Sequence, residues 1–231
     1  MNFYEKWEAT RKDNVDDFEF FKNFLNKTIN STQPLISGSE DEVIFIIKML
    51  LGISIDEFIE NLCKCDLCHV EPGDIIQFSK FERAFSQLPA VLLYEDNALD
   101  FNEIGKKIMG SKSEGARIKY GENHSKLACE MGFVEIFRDG KVFVRLATLG
   151  KVAVSLSEKD KYDLALKMLV RNSFIRNIIK VGKENCVFYE KLTENLLSKS
   201  TSLRRKNNVK QVVEAILETS NFIYIKNNIF W

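Results

Sequence analysis

The chain has 231 residues, 45% of them hydrophobic and 29% charged, with 3 prolines, 5 cysteines and a formal net charge of zero. That length serves one large domain or two to three small ones with real cores, and the composition excludes a long disordered or low-complexity protein. No apolar run approaches the ~20 residues that span a bilayer, and the charged start lacks a signal-peptide core, so we expect a cytoplasmic chain with no membrane partner and reduced cysteines.

The zero net charge conceals segregation. Residues 1–60 hold 12 acidic and 6 basic side chains, whereas Lys199, Arg204, Arg205, Lys206 and Lys210 fall within twelve residues that contain no acid. A third segment, 103–126, holds six basic and three acidic side chains. Basic segments of this kind attract phosphate, although such a run is also an ordinary solvated helix face.

Phe18, Phe21, Leu25 and Ile29 recur at helical spacing and predict a helix over 3–29. Ser39 with Glu42 three residues on forms a capping-box pattern ahead of a helix from Asp41 to Leu51. Gly52 ends it, and Ser54 starts another helix through Cys63. Glu71-Pro72-Gly73 marks a boundary, so residues 1–72 form an acidic helical N-terminal region.

A helix over 76–93, carrying Phe78, Phe81, Phe85 and Leu88, is kinked or split by Pro89. A short helix from Phe101 to Met109, a turn at 110–113 and a helix from Ala116 to Met131 follow. Asp139-Gly140 then joins two apolar strands, the strongest short hairpin signal. Helix, short helix, turn, helix and hairpin is the winged helix-turn-helix order.

The order recurs in the second half. Helices are expected over Lys159 to Val170 and Ser173 to Val181, a short helix over Phe188 to Leu197 and a turn at Ser198 to Ser202. A longer helix then runs from Leu203 to Glu218, and a hairpin turns at Asn227-Asn228 and ends on Trp231. The halves superpose without a gap at a shift of 88 residues. Ile104, Ile108 and Met109 fall on Leu192, Leu196 and Leu197, Arg117 on Arg205 and Asn123 on Gln211. The expected fold class is therefore mainly α with small β-hairpins (α+β): the acidic region 1–72, then two tandem winged-helix units at 73–157 and 158–231.

In helix-turn-helix proteins the second helix lies in the major groove, where Arg, Asn and Gln read base edges and Lys and hydroxyl groups hold phosphates. The candidates for double-stranded DNA are Lys112, Arg117, Lys119, Tyr120, Asn123, His124 and Lys126 in the first unit. In the second they are Lys199, Thr201, Arg204, Arg205, Lys206, Asn207, Asn208, Lys210 and Gln211. Ser and Thr at a helix start also serve as caps. Glu114 and Glu122 dilute the first set.

Two of these strings resemble the winged-helix recognition modules of type II restriction endonucleases and associated phage-defence proteins. Ala147-Thr148-Leu149-Gly150, running on to Phe174, resembles their hairpin-to-helix connector. Thr201, Arg204, Arg205 and Val209 resemble their Thr-x-Arg-Arg helix, with Thr201 one residue further away and Asn208 where a second Thr would stand. The usual later Trp is absent, Val213 and Ala215 occupying that region. The resemblance covers about residues 75–231 and implies the DNA-recognition part of a restriction-modification or phage-defence system.

Catalysis is the less expected case, and if the chain is an enzyme it is expected to be part of a type II restriction endonuclease. A metal-dependent nuclease of that class needs (Asp/Glu)-x-Lys on a strand beside a partner acid. The tempting match, Asp139-Gly140-Lys141, falls in a hairpin turn. No Gly-rich phosphate loop argues for an NTPase. Cys63, Cys65, Cys68 and His69 could fill a tetrahedral zinc shell, but their spacing is not a standard pair of knuckles, and core or surface cysteines are the plainer reading. Cys129 and Cys186 read as core residues and Trp231 as packed in the last wing strand. The acidic N-terminal helices suggest a protein partner or self-association. The rival to DNA recognition is a winged-helix scaffold that docks proteins only, which zero net charge favours.

Overall fold

A computed structural model describes residues 39–77, 80–110 and 113–231; the expected helix over 3–29, Phe78 and Lys112 fall outside them. The described chain is mainly helical with a few short strands, and none of its helices is long and apolar enough to cross a membrane. It divides into two compact units, one of residues 39–52 and 80–165, the other of 53–77 and 166–231. The described part of the acidic region is thus shared between the two units, whereas the sequence pattern suggested a region of its own.

In the first unit α1 spans Glu40–Gly52. The Glu42 carboxylate accepts the Ser39 N–H at 2.7 Å and the Ser39 hydroxyl accepts the Glu42 N–H at 3.3 Å, which closes the expected capping box. Val43, Ile44, Ile47 and Leu50 are buried from this helix. The next helix begins at Phe81 and opens into a π turn at Arg83–Gln87 before α2, Leu88–Glu95. A proline ring clashes with the carbonyl four residues earlier in an α-helix. The wider turn, closed by the Leu88 N–H on the Arg83 carbonyl, admits Pro89 without breaking the helix.

Strand β1 (Leu99–Asp100) leads into α3 (Phe101–Met109), α4 (Glu114–Glu130) and the hairpin β2 (Val134–Asp139) and β3 (Lys141–Leu146). The sheet order is β1-β3-β2, all antiparallel, with Leu99 opposite Val144 and Ile136 opposite Val144 on the other edge. Asp139-Gly140 turns the hairpin as expected, with Gly140 at φ 66°. Glycine also sets how closely α3 and α4 approach. A Cβ at Gly105 would lie 2.0 Å from the Arg117 carbonyl oxygen, and one at Gly121 would lie 1.9 Å from that of Phe101. The two backbones meet at both points. After β3 come α5 (Thr148–Val154) and α6 (Glu158–Val170), and the boundary between the units falls inside α6.

The second unit begins with α7 (Ile55–Lys64), capped by the Ser54 hydroxyl on the Glu57 N–H, and a 3-10 turn at Pro72–Asp74. Then follow α8 (Ser173–Glu184), β4 (Val187–Phe188), α9 (Tyr189–Thr193), α10 (Lys199–Glu218), a 3-10 helix at Ile223–Asn228 and β5 (Ile229–Phe230). Asn172 caps α8 by accepting the N–H groups of Phe174 and Ile175, and donates to the Asp74 carbonyl at 2.9 Å. Val209, Val212, Val213, Ile216 and Leu217 form the buried face of α10.

The 88-residue shift recurs in the boundaries: β1 falls on β4, the start of α3 on that of α9, the end of α4 on that of α10, and the start of β3 on that of β5. It fails at the expected second hairpin. Residues 223–228 form a 3-10 helix, and β5 pairs with β4 in parallel, Val187 opposite Ile229, so the expected hairpin at Asn227-Asn228 is absent. Where Gly140 supplies a positive φ, Asn228 donates from Nδ2 to the Gly182 carbonyl at 2.7 Å, and Lys226 bridges Glu218 at 2.7 Å. Ile225 is buried against Gly182, where a Cβ would come within 2.7 Å of its side chain. These side-chain anchors hold the segment on the helices and leave it no partner strand of its own. Trp231 accordingly lies beyond β5, its ring 5.8 Å from that of Tyr189. Cys186 is exposed, contrary to its expected core position, because it precedes β4 outside the packed face, while Cys129 is half-buried.

Candidate nucleic-acid interface

The expected turn at Ser198 to Ser202 is the first turn of α10. Ser198 caps it, its hydroxyl accepting the Thr201 N–H at 3.4 Å and donating to the Thr201 hydroxyl at 3.0 Å. Helical periodicity then sorts the candidates. Ser200, Arg204, Asn207 and Gln211 recur at three-to-four spacing and are all exposed. Lys199, Leu203, Lys206 and Lys210 form the neighbouring row. From Ser200 to Gln211 the outer row extends ~16 Å at 1.5 Å per residue. Lys210 approaches Glu214 at 4.0 Å, where the acid-free stretch ends. The basic row begins at the helix N-terminus, where the helix dipole also favours anions.

Arg205 and Asn208 turn the other way. The Arg205 Nη1 donates to the carbonyls of Pro72 at 2.8 Å and Ile75 at 3.0 Å, and Asn208 Nδ2 donates to that of Gln77 at 2.7 Å. Burial, then the charge of Arg204, pulls the Arg205 guanidinium below its ordinary range, with Tyr189 acting in the opposite sense. These two candidates are clamps on residues 72–77, because helix phase directs them about 100° away from the exposed row. Thr201 is half-buried at the cap. Leu203, 51% exposed in the middle of the basic face, was not singled out from sequence. Its signal was an apolar residue out of phase with the buried stripe.

The first unit presents a different face. Lys119, Tyr120 and Lys126 are exposed, but Lys126 pairs with Glu122 at 2.5 Å and Glu130 lies one turn on. Arg117 is tied through Nε to the Asn102 side chain at 2.9 Å, and Asn123 is half-buried. His124 is fully buried and so leaves the candidate set. Its Nδ1–H donates to the Tyr120 carbonyl at 2.6 Å, and burial, aided by Arg83 and Lys80, lowers its pKa despite that bond. The exposed face of α4 thus alternates in charge and includes Ile118, 41% exposed.

Asp139, Gly140 and Lys141 lie at the exposed hairpin tip. The cysteine cluster does not converge: among the described residues no group of three or more His, Cys, Asp or Glu side chains could hold a metal ion. Cys65 follows α7 as its extended C-cap, His69 is exposed, and the Cys68 thiol faces Arg176 at 2.6 Å. No family model matches the chain, and neither a curated protein nor a solved structure does.

Proposed function

We propose that this protein is a non-catalytic recognition protein for double-stranded DNA, with the exposed face of α10 as its principal contact surface. The observation that carries this reading is the exposure of Lys199, Arg204, Asn207 and Gln211 on α10, with half-buried Lys206 and Lys210 beside them and no acid before Glu214. Lys199, Arg204, Lys206 and Lys210 would neutralise phosphates, and Arg204, Asn207 and Gln211 have the donor and acceptor patterns that read guanine and adenine edges.

The order helix, strand, helix, helix, hairpin with a β1-β3-β2 sheet supports a winged-helix reading of the first unit. The matching element boundaries support a related, wingless second unit. The resemblance of 147–150 and 201–209 to restriction-endonuclease recognition modules supports a place in restriction-modification or phage defence.

The test is binding of labelled random duplex at about 50 and 200 mM salt, where phosphate contacts give affinity a steep salt dependence. Arg204→Ala/Lys206→Ala should weaken binding and reduce the slope of log affinity against log salt by about two, near 0.9 for each phosphate contact. No binding of the native chain at the lower salt would refute the reading. A second reading, protein docking by the first unit, is favoured by the charge-balanced α4 face with exposed Ile118 and Tyr120. It predicts a partner whose affinity changes little with salt.

A further inference from the structure

Helix α8 grips the segment that follows α7 with three consecutive-face side chains. Asn177 accepts the Cys68 N–H through Oδ1 at 3.0 Å and donates from Nδ2 to the Cys68 carbonyl at 2.8 Å. Lys180 donates to the Cys65 carbonyl. Arg176, only 1% exposed, donates from Nη2 to the Cys68 sulfur at 2.6 Å. Its Nε and Nη1 have no hydrogen-bond partner among the described residues. A buried guanidinium is costly unless an opposite charge or a full set of acceptors meets it. A neutral thiol is a weak acceptor, and a cation beside a sulfur favours the charged form through which cysteine reacts.

We propose that Cys68, with its sulfur against the buried guanidinium of Arg176, is a site of oxidation by hydroperoxides. Cys68 is half-buried, so a small peroxide reaches it. The sulfur attacks one oxygen of hydrogen peroxide, an S–O bond forms and the O–O bond breaks. Hydroxide leaves with the electron pair, the sulfur is oxidised by two electrons to a sulfenic acid and the peroxide is reduced. Asn177 and Lys180 hold the backbone around the reacting sulfur. Burial pushes Cys63 and Cys65 up, outweighing the nearby cations, and pushes Cys129 up as well. Exposed Cys186 serves as the internal reference.

The full chain is treated with hydrogen peroxide in the presence of a sulfenic-acid trap, and the adduct at each cysteine is quantified by peptide mass spectrometry. Cys68 is expected to be trapped about tenfold faster than Cys186 or more, since a free thiol is only a few per cent thiolate at neutral pH. Arg176→Met should remove that advantage and Arg176→Lys should keep most of it, with circular dichroism reporting the fold of each. Equal trapping at Cys68 and Cys186 in the native chain overturns the proposal whatever the variants do. An undiminished Cys68 rate in folded Arg176→Met overturns it too.

Discussion

Gly115 and Gly121 lie on the same helix, α4, and the same substitution should act on them with opposite sign. At Gly121 an added Cβ would stand 1.9 Å from the Phe101 carbonyl oxygen. Real Cβ contacts essentially never fall below 3.0 Å, so α3 and α4 would have to part by more than an ångström. The obstacle is backbone, which has no rotamer to change. Forcing such an overpacked contact costs about 3 kcal/mol at the upper end of the usual range. Better helix propensity and a less flexible unfolded chain return about 1 kcal/mol. Gly121→Ala should therefore destabilise by roughly 2 kcal/mol net. At Gly115 nothing lies within 4 Å of the added methyl, so only the favourable part remains. Gly115→Ala should stabilise by about 0.5–1 kcal/mol. Urea unfolding followed by circular dichroism measures both, with equal m values as the sign that the two variants unfold the same structure. If Gly121→Ala matches or exceeds the stability of Gly115→Ala, the close α3–α4 crossing is wrong, and with it the face that α4 presents.

Adjacent arginines on α10 should separate in the same assay. Arg205→Ala removes charge-assisted bonds to two carbonyls and should cost about 2 kcal/mol or more, whereas Arg204→Ala, exposed, should change stability by less than about 0.5 kcal/mol and act instead on the proposed DNA binding. Asn172→Ala loses the cap of α8 and the bond to Asp74, and should lower unfolding free energy by about 1–2 kcal/mol. Acid should weaken the first unit through His124. Its folded pKa lies below the ordinary imidazole value, so the unfolded chain binds the extra proton as pH falls through about 6.5 and gains stability relative to the folded one. The contribution of neutral, buried His124 is thus present above that pH and lost below it. Unfolding free energies measured between pH 7.5 and 5 should fall for the native chain and fall less for His124→Gln; equal slopes would contradict the role assigned to His124.

Much of this architecture was legible from local pattern. Ser39 with Glu42, Ser54, and Asp139-Gly140 act within a few residues of themselves, through caps and a turn whose chemistry depends on side-chain reach and allowed φ. Helical periodicity likewise located α4, α8 and α10, and the 88-residue repeat anticipated where elements begin and end. The candidate interface was legible as a composition, five basic residues without an acid, but not as a face. What tertiary structure alone decided involves partners far apart in the chain. Arg205 and Asn208 carry the residue types of base readers, yet carbonyls some 130 residues earlier claim their donors. The expected second hairpin had an acceptable strand pattern, yet Gly182 and Glu218 hold residues 223–228 as a 3-10 helix. Cys68 looked like one thiol among several until α8 brought a buried guanidinium to it. A donor or charge must find its counterpart somewhere, and sequence shows only that it needs one, because which distant group arrives depends on how the whole chain packs.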